Sequence, residues 1–273
     1  HPDTYSDTTS PVSSQLILRL LLAIIAHRQY DTVQMDLTNA YLHAQIQYVV
    51  LIVIPEGFPG MGEIALLEKG LYGIKQGSRR FYDHTDTVFK TIGCIPCPNE
   101  PCLYRFVHPI GEAFIILYVD DALITGKEAT VKTLQAKIKE HFKCKFNSPQ
   151  DFLGLDINTS IPGKTTISMK SFSKKLLTTL AVKPWPYPIV TPGRTDIKII
   201  KDVNLEPNEA YRSKVGSLNW LTMGLRYDLV YTTKELSRVL CAPTKEANTI
   251  LQRALQYVEQ TQDAELTFDR ELM

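Results

Sequence analysis

Carboxylates are the residues of this 273-residue chain best suited to do chemistry, and three of them stand in telling places. The stretch Ala113-Phe-Ile-Ile-Leu-Tyr-Val-Asp-Asp-Ala-Leu-Ile-Thr-Gly126 sets Asp120 and Asp121 between two runs of β-branched and aromatic residues. The runs predict two strands, and the Asp pair predicts their turn. Two adjacent anions beside an apolar core are costly unless a cation or hydrogen bonds offset their charge. A pair of divalent ions would do so, and carboxylate oxygens suit Mg²⁺ or Mn²⁺. Ordinary type I′ turn chemistry is the other reading. A second acidic position, Asp36, ends the strand-like run Val33-Gln34-Met35. Alone it would read as a helix N-cap. With the hairpin it supplies one carboxylate from a strand end and two from a turn. Two-metal catalysis needs such a set, with acidic groups from different strands converging on ions about 4 Å apart.

Further motifs follow in order along the chain. They are Asp36-Leu-Thr-Asn-Ala-Tyr-Leu-His43, Pro55-Glu-Gly-Phe58, Leu71-Tyr-Gly-Ile-Lys-Gln76, Tyr118-Val-Asp-Asp121, Phe152-Leu-Gly-Leu-Asp-Ile157, Thr191-Pro192 and Tyr211-Arg-Ser-Lys-Val-Gly-Ser-Leu218. Each string is weak alone; their fixed order is specific. On these residues the chain resembles the reverse transcriptase of copia-type LTR retrotransposons over nearly its whole length. The resemblance implies an α+β, right-hand polymerase fold with a palm antiparallel sheet, partial fingers and a helical thumb. Residues 1–29 and 48–77 would be the partial fingers, 30–47 and 78–169 the palm, 170–204 a connector, and 205–273 the helical thumb or connection. It also implies an RNA-directed DNA polymerase core that adds dNTPs to a primer 3′-hydroxyl with two Mg²⁺ or Mn²⁺ ions. The implied partners are an RNA or DNA template with its primer, dNTPs, and a second copy or other segments of a retrotransposon polyprotein. The implied location is intracellular, in a cytoplasmic particle or the nucleus, away from membranes.

Carried over residue by residue, the resemblance gives Asp36 and Asp120 to both metals and Asp121 to supporting them. The carbonyl of Leu37 would face the second metal. Tyr41 would lie under the incoming deoxyribose and exclude a 2′-hydroxyl; a core aromatic is the alternative. Lys75 and Gln76 would meet the dNTP, with Gln76 on the sugar and base, unless this segment is a plain turn. Tyr118, Arg212, Gly216 and Trp220 would contact nucleic acid. The last three are four apart, so they share one helix face. A helix-interior glycine costs roughly 1 kcal/mol relative to alanine, and either a nucleic-acid backbone or tight helix packing would justify it. Lys145 is a candidate general acid for the pyrophosphate, and the hairpin Leu155 to Ser168 a candidate primer grip. Two departures stand out. The family's basic fingers segment would precede residue 1, and the first 18 residues contain no Lys or Arg. The RNase H domain expected after the thumb is also missing. A catalytically inactive nucleic-acid-binding remnant is therefore the rival reading, and a structural subunit that partners an active copy is a weaker one.

Composition bounds these readings. A hydrophobic share of 44% with 22% charged residues is that of an ordinary globular protein. The net charge of +1 does not itself point to nucleic acid. Between Thr125 and Phe172, eight lysines face four acidic residues, a local balance of +4. That balance suits a solvated helix face or a phosphate-facing surface. The apolar run Leu16 to Ala26 is interrupted by Arg19 and too short to cross a membrane. The five cysteines fit a reducing compartment. Cys94, Cys97, Cys102 and His108 lack the paired spacing of a zinc site, which we reject.

The elements that must position the carboxylates can be outlined. Helices are predicted from Ser13 or Ser14 to about His27, from Ser78 to Thr91 and from Glu128 to Phe142. Strands are predicted at Tyr30–Leu37, Tyr48–Ile54 and Ala65–Leu71, and in a second hairpin, Phe152–Ile157 with Thr165–Met169. Pro184, Pro186, Pro188 and Pro192 mark the connector. Three late helices are predicted from Glu206 to Met223, Leu229 to Leu240 and Lys245 to Gln262, so strands mix with helices early and helices stand alone late.

Overall fold

The computed structural model describes residues 8–46, 49–194, 199, 206 and 208–272. The expected strand start at Tyr48, the first seven residues, and much of the boundary between the expected connector and thumb lie outside them. The chain forms two compact units, His1–Pro149 with Asp269–Met273, and Gln150–Phe268.

The first unit is built on a six-stranded antiparallel sheet, with strands β1 (Asp31–Leu37), β4 (Cys94–Cys97), β5 (Glu100–His108), β6 (Gly111–Tyr118), β7 (Asp121–Gly126) and β8 (Cys144–Asn147). Their spatial order is β4-β5-β6-β7-β1-β8. Helix α1 (Gln15–Arg28) starts at Ser14, whose hydroxyl accepts from the Leu16 N–H, and ends at Gln29 in the left-handed region. Helices α2 (Gly77–Thr91) and α3 (Glu128–Lys139) bring Phe81, Phe89, Val131, Leu134 and Ile138 into one core with Met35, Leu37, Ile115, Leu117 and Ile124 of the sheet. The alternation of these strands buries Ile116 and Leu123 of the opposite face as well. A short ribbon, β2 (Leu51–Val53) with β3 (Ile64–Leu66), stands apart from the sheet. The strand expected at Ala65–Leu71 is thus shorter and earlier; beyond Leu66 the chain turns around Gly70 and Gly73 instead.

The second unit holds a four-stranded sheet in the order β12-β11-β10-β9, from β9 (Asp151–Phe152), β10 (Leu155–Asn158), β11 (Lys164–Ser168) and β12 (Glu265–Asp269). The run Phe152–Ile157, expected as one strand, is broken by a tight turn. Leu153 has φ +56 and Gly154 φ +74, and Phe152 pairs with Leu155. Two positive φ values in a two-residue loop match the right-handed twist of the flanking strands. Helix α4 (Lys170–Thr179) lies where a connector was expected, and buries Ser173, Leu176 and Leu177. Its Ser- and Lys-rich sequence gives only a narrow apolar stripe, which the pattern did not reveal. Helices α5 (Glu209–Gly224), α6 (Val230–Ser237) and α7 (Lys245–Gln260) follow the predicted order. The last segment is not purely helical: β12 adds an exposed strand to β11.

Candidate active site

The register of the six-stranded sheet builds the site. In β1, Met35 and Leu37 are buried and Asp36 between them is exposed, the period-two consequence of the pleat. Asp36 pairs directly with Asp121 of β7 on one side and with Lys145 of β8 on the other. Directly opposed residues share a face, with Cβ atoms about 5 Å apart. Asp121, Asp36 and Lys145 therefore form one cross-strand row. The neighbouring row, Ala122, Met35 and Phe146, points the other way, and its Ala122 and Met35 are buried in the core.

The hairpin differs from expectation in one respect. The turn is Val119-Asp120, not Asp120-Asp121, because Tyr118 pairs with Asp121 across it. Val119 has φ +52. A β-branched side chain rarely adopts that conformation, which costs on the order of 1–3 kcal/mol. The strained turn lifts Asp120 out of the ladder, and its carbonyl accepts the Leu37 N–H at 3.1 Å. Asp120 is thus tied to the end of β1 through its backbone, which leaves its carboxylate to other partners. One carboxylate oxygen accepts from the Tyr72 hydroxyl at 2.9 Å. Partial burial, that hydrogen bond and the anionic charge of Asp120 and Asp36 push the Tyr72 hydroxyl up to about 12, so it donates at neutral pH.

Tyr41 lies in a 3₁₀ turn, Ala40–His43, that follows the left-handed residue Asn39. It is only 7% exposed. Its hydroxyl is 2.9 Å from that of Ser78, and its ring lies 4.2 Å from that of Tyr72 and 5.7 Å from that of Phe81. The 70–77 loop wraps it closely. A Cβ on Gly70 would come within 2.5 Å of the Tyr41 carbonyl oxygen, and one on Gly77 within 3.2 Å of the ring. Glycine is required here for close approach.

Lys75 is exposed, but Gln76 is only 3% exposed, at the start of α2. The polar side chain that this loop presents to the carboxylates is Tyr72. The resemblance gives Tyr72 no role; the Tyr-Gly step, with Gly73 at φ +94, is the sequence sign of an aromatic lifted on a turn. Tyr118 is half-buried beside Asp121.

In the second unit, Arg212, Gly216 and Trp220 form an exposed stripe on α5. A Cβ on Gly216 would meet nothing within 4 Å, so helix packing does not explain this glycine. Arg212 pairs with Glu209 at 3.2 Å. Trp220 is half-covered: it lies near Phe172 and its indole would meet a Cβ on Gly154 at 3.1 Å.

The carboxylates and main-chain carbonyls near the hairpin are hard oxygen donors, the kind that Mg²⁺ and Mn²⁺ take. Among the described residues, no Lys or Arg closes an ion pair with Asp36 or Asp120. The donor set thus fits divalent cations in type and in strand placement. It is not drawn together in advance: no group of three or more His, Cys, Asp or Glu among the described residues is close enough to form a finished metal site. The Cys94 and Cys102 thiols are buried and pushed up to about 12 by that burial. No helix among the described residues is long and apolar enough to cross a membrane.

A family model described as Reverse transcriptase (RNA-dependent DNA polymerase) matches residues 2–193, and the chain belongs to that family. Within it, the chain is a copia-type reverse transcriptase region. It is 28% identical over 272 residues to the Retrovirus-related Pol polyprotein from transposon RE2 of Arabidopsis thaliana, covering 95% of this chain and 18% of that protein. It is 29% identical over 273 residues to the corresponding polyprotein from transposon TNT 1-94 of Nicotiana tabacum, covering 94% and 20%. The Transposon Ty1-BR Gag-Pol polyprotein of Saccharomyces cerevisiae matches at 24% over 291 residues, covering 99% and 16%. The chain spans about a fifth of the length of these curated relatives.

Proposed function

We propose that this chain is the polymerase core of a reverse transcriptase, extending a primer 3′-hydroxyl on an RNA or DNA template with dNTPs. The observation that carries the reading is the pairing of Asp36 with Asp121, with the Asp120 carbonyl bound to the Leu37 N–H. Asp36, Asp120, Asp121 and the Leu37 carbonyl would hold two Mg²⁺ or Mn²⁺ ions, which when bound acidify the primer hydroxyl and neutralise the triphosphate. The residues do the rest. Asp36 and Asp121 present carboxylates from adjacent strands, and the Val119-Asp120 turn sets Asp120 at the end of β1. Tyr41, fixed beneath by Ser78 and Phe81, supplies the floor that excludes a 2′-hydroxyl through overlap. Lys145, in the same row as Asp36, is positioned to give a proton to departing pyrophosphate. The Arg212, Gly216 and Trp220 stripe offers a cation, a bare backbone and an aromatic face to a nucleic-acid strand.

In this reading the fingers, palm, connector and thumb keep the boundaries given above, and the protein works inside the cell with template and primer, alone or beside other polyprotein segments. The α5 stripe needs none of the carboxylates, and that favours one second reading, nucleic-acid binding without turnover. Primer extension with Mg²⁺ or Mn²⁺ separates the two. Extension lost in Asp36→Asn and Asp120→Asn, with primer-template binding retained, supports the polymerase. Binding without extension in the wild type supports the remnant.

A further inference from the structure

We propose that Tyr72 is a positioning residue of the carboxylate site, its hydroxyl competing with a divalent cation for Asp120. The inference rests on the function proposed above. The Tyr72 hydroxyl donates to an Asp120 carboxylate oxygen at 2.9 Å. A carboxylate oxygen that accepts a hydrogen bond has less lone-pair density to offer a cation, and a cation drawn to the same oxygen repels the hydroxyl proton. The two partners are therefore in competition.

The surroundings allow Tyr72 to yield. The residue is 57% exposed. Its ring rests on Tyr41 at a centroid distance of 4.2 Å, and Gly73, at φ +94, follows it. The ring can swing out without opening the core. Tyr41 has no such freedom, being enclosed by Gly70, Gly77, Phe81 and the Ser78 hydroxyl. One aromatic of the pair is fixed and the other is movable, and the movable one holds the carboxylate. Tyr72 holds Asp120 until a cation displaces it.

The test is Mn²⁺ binding to the whole chain without nucleotide, followed by the electron paramagnetic resonance of free Mn²⁺. Tyr72→Phe keeps the ring and removes only the competing hydroxyl. It should tighten Mn²⁺ binding by about three- to tenfold, the factor carried by one net hydrogen bond. Damage to the fold would weaken binding, so the sign separates competition from structural disturbance. Asp120→Asn should abolish the tight binding. If Asp120→Asn does so but Tyr72→Phe binds no tighter than the wild type, the Tyr72 proposal is overturned and the polymerase reading stands. If Mn²⁺ does not bind, or binds unchanged in both Asp36→Asn and Asp120→Asn, the polymerase reading falls and the Tyr72 proposal falls with it.

Discussion

Replacing Tyr41 should expose two functions of one ring, and the structure sets their sizes. Tyr41 is 7% exposed, shares a hydrogen bond with Ser78 and contacts the rings of Tyr72 and Phe81. Tyr41→Phe removes only the hydroxyl and should cost about 1 kcal/mol. Tyr41→Ala removes the ring, and truncating a buried aromatic costs about 3–5 kcal/mol. The site lies just beneath the exposed Tyr72, which can settle into the gap, so the lower end applies. At a urea m-value of about 2 kcal/mol/M, a 3 kcal/mol loss lowers the midpoint by about 1.5 M. Unfolding followed by circular dichroism reads this directly. On the functional side, the ratio of kcat/KM for rCTP to that for dCTP should rise in Tyr41→Ala and stay unchanged in Tyr41→Phe, because overlap with a 2′-hydroxyl depends on the ring and not on its hydroxyl. An alanine variant with the wild-type midpoint would refute the packing argument. An active alanine variant with an unchanged ratio would refute the sugar-selection argument while leaving the packing intact.

Three further outcomes follow from the geometry. Gly216→Ala should stabilise the chain by about 0.5–1 kcal/mol, because the helix gains propensity and the new Cβ meets nothing; primer-template binding, measured by fluorescence anisotropy, should weaken if a strand approaches that face. Arg226 donates to Asp228 at 2.8 Å and to the Thr261 carbonyl at 3.1 Å. Burial opposes ionisation of Asp228, but the hydrogen bonds and charge of Arg226 outweigh it and hold the carboxyl below its usual range. The pair's contribution is therefore present above the unfolded value near ~4 and lost as pH falls through the lower folded value. Asp228→Asn should cost about 1–2 kcal/mol at pH 7, a range reduced for the partial exposure of the carboxylate, and the difference from wild type should shrink in acid. Finally, Cys241 is exposed whereas Cys94 and Cys102 are buried with raised thiol values. Ellman's reagent at pH 8 should modify Cys241 fast and the other two only on unfolding; rapid reaction of Cys94 in the folded chain would contradict its burial.

Much of this was legible in the chain itself. Strong local patterns reported themselves: the 3–4 spacing of Phe81, Thr85, Val88 and Phe89 made α2, and the β-branched runs around Asp120 made β6 and β7. Ordered motifs named the family, and by resemblance they singled out Asp36, Asp120 and Asp121 as the proposed metal-binding set. Weak patterns did not report themselves. The Lys- and Ser-rich α4 and the edge strand β12 exist through tertiary packing and strand pairing rather than through propensity. Spacing also misled where a single residue decides direction. The Asp pair was read as the turn, but a left-handed Val119 moves the turn back by one residue, which sets Asp121 opposite Asp36 and frees Asp120 for Tyr72. Tyr72, four residues before Gln76 in the same motif, meets the carboxylate, a contact that its place in the motif does not indicate. Sequence determined which residue types are present and in what order. Register, turn geometry and burial, which depend on partners distant in the chain, decided which of them face one another.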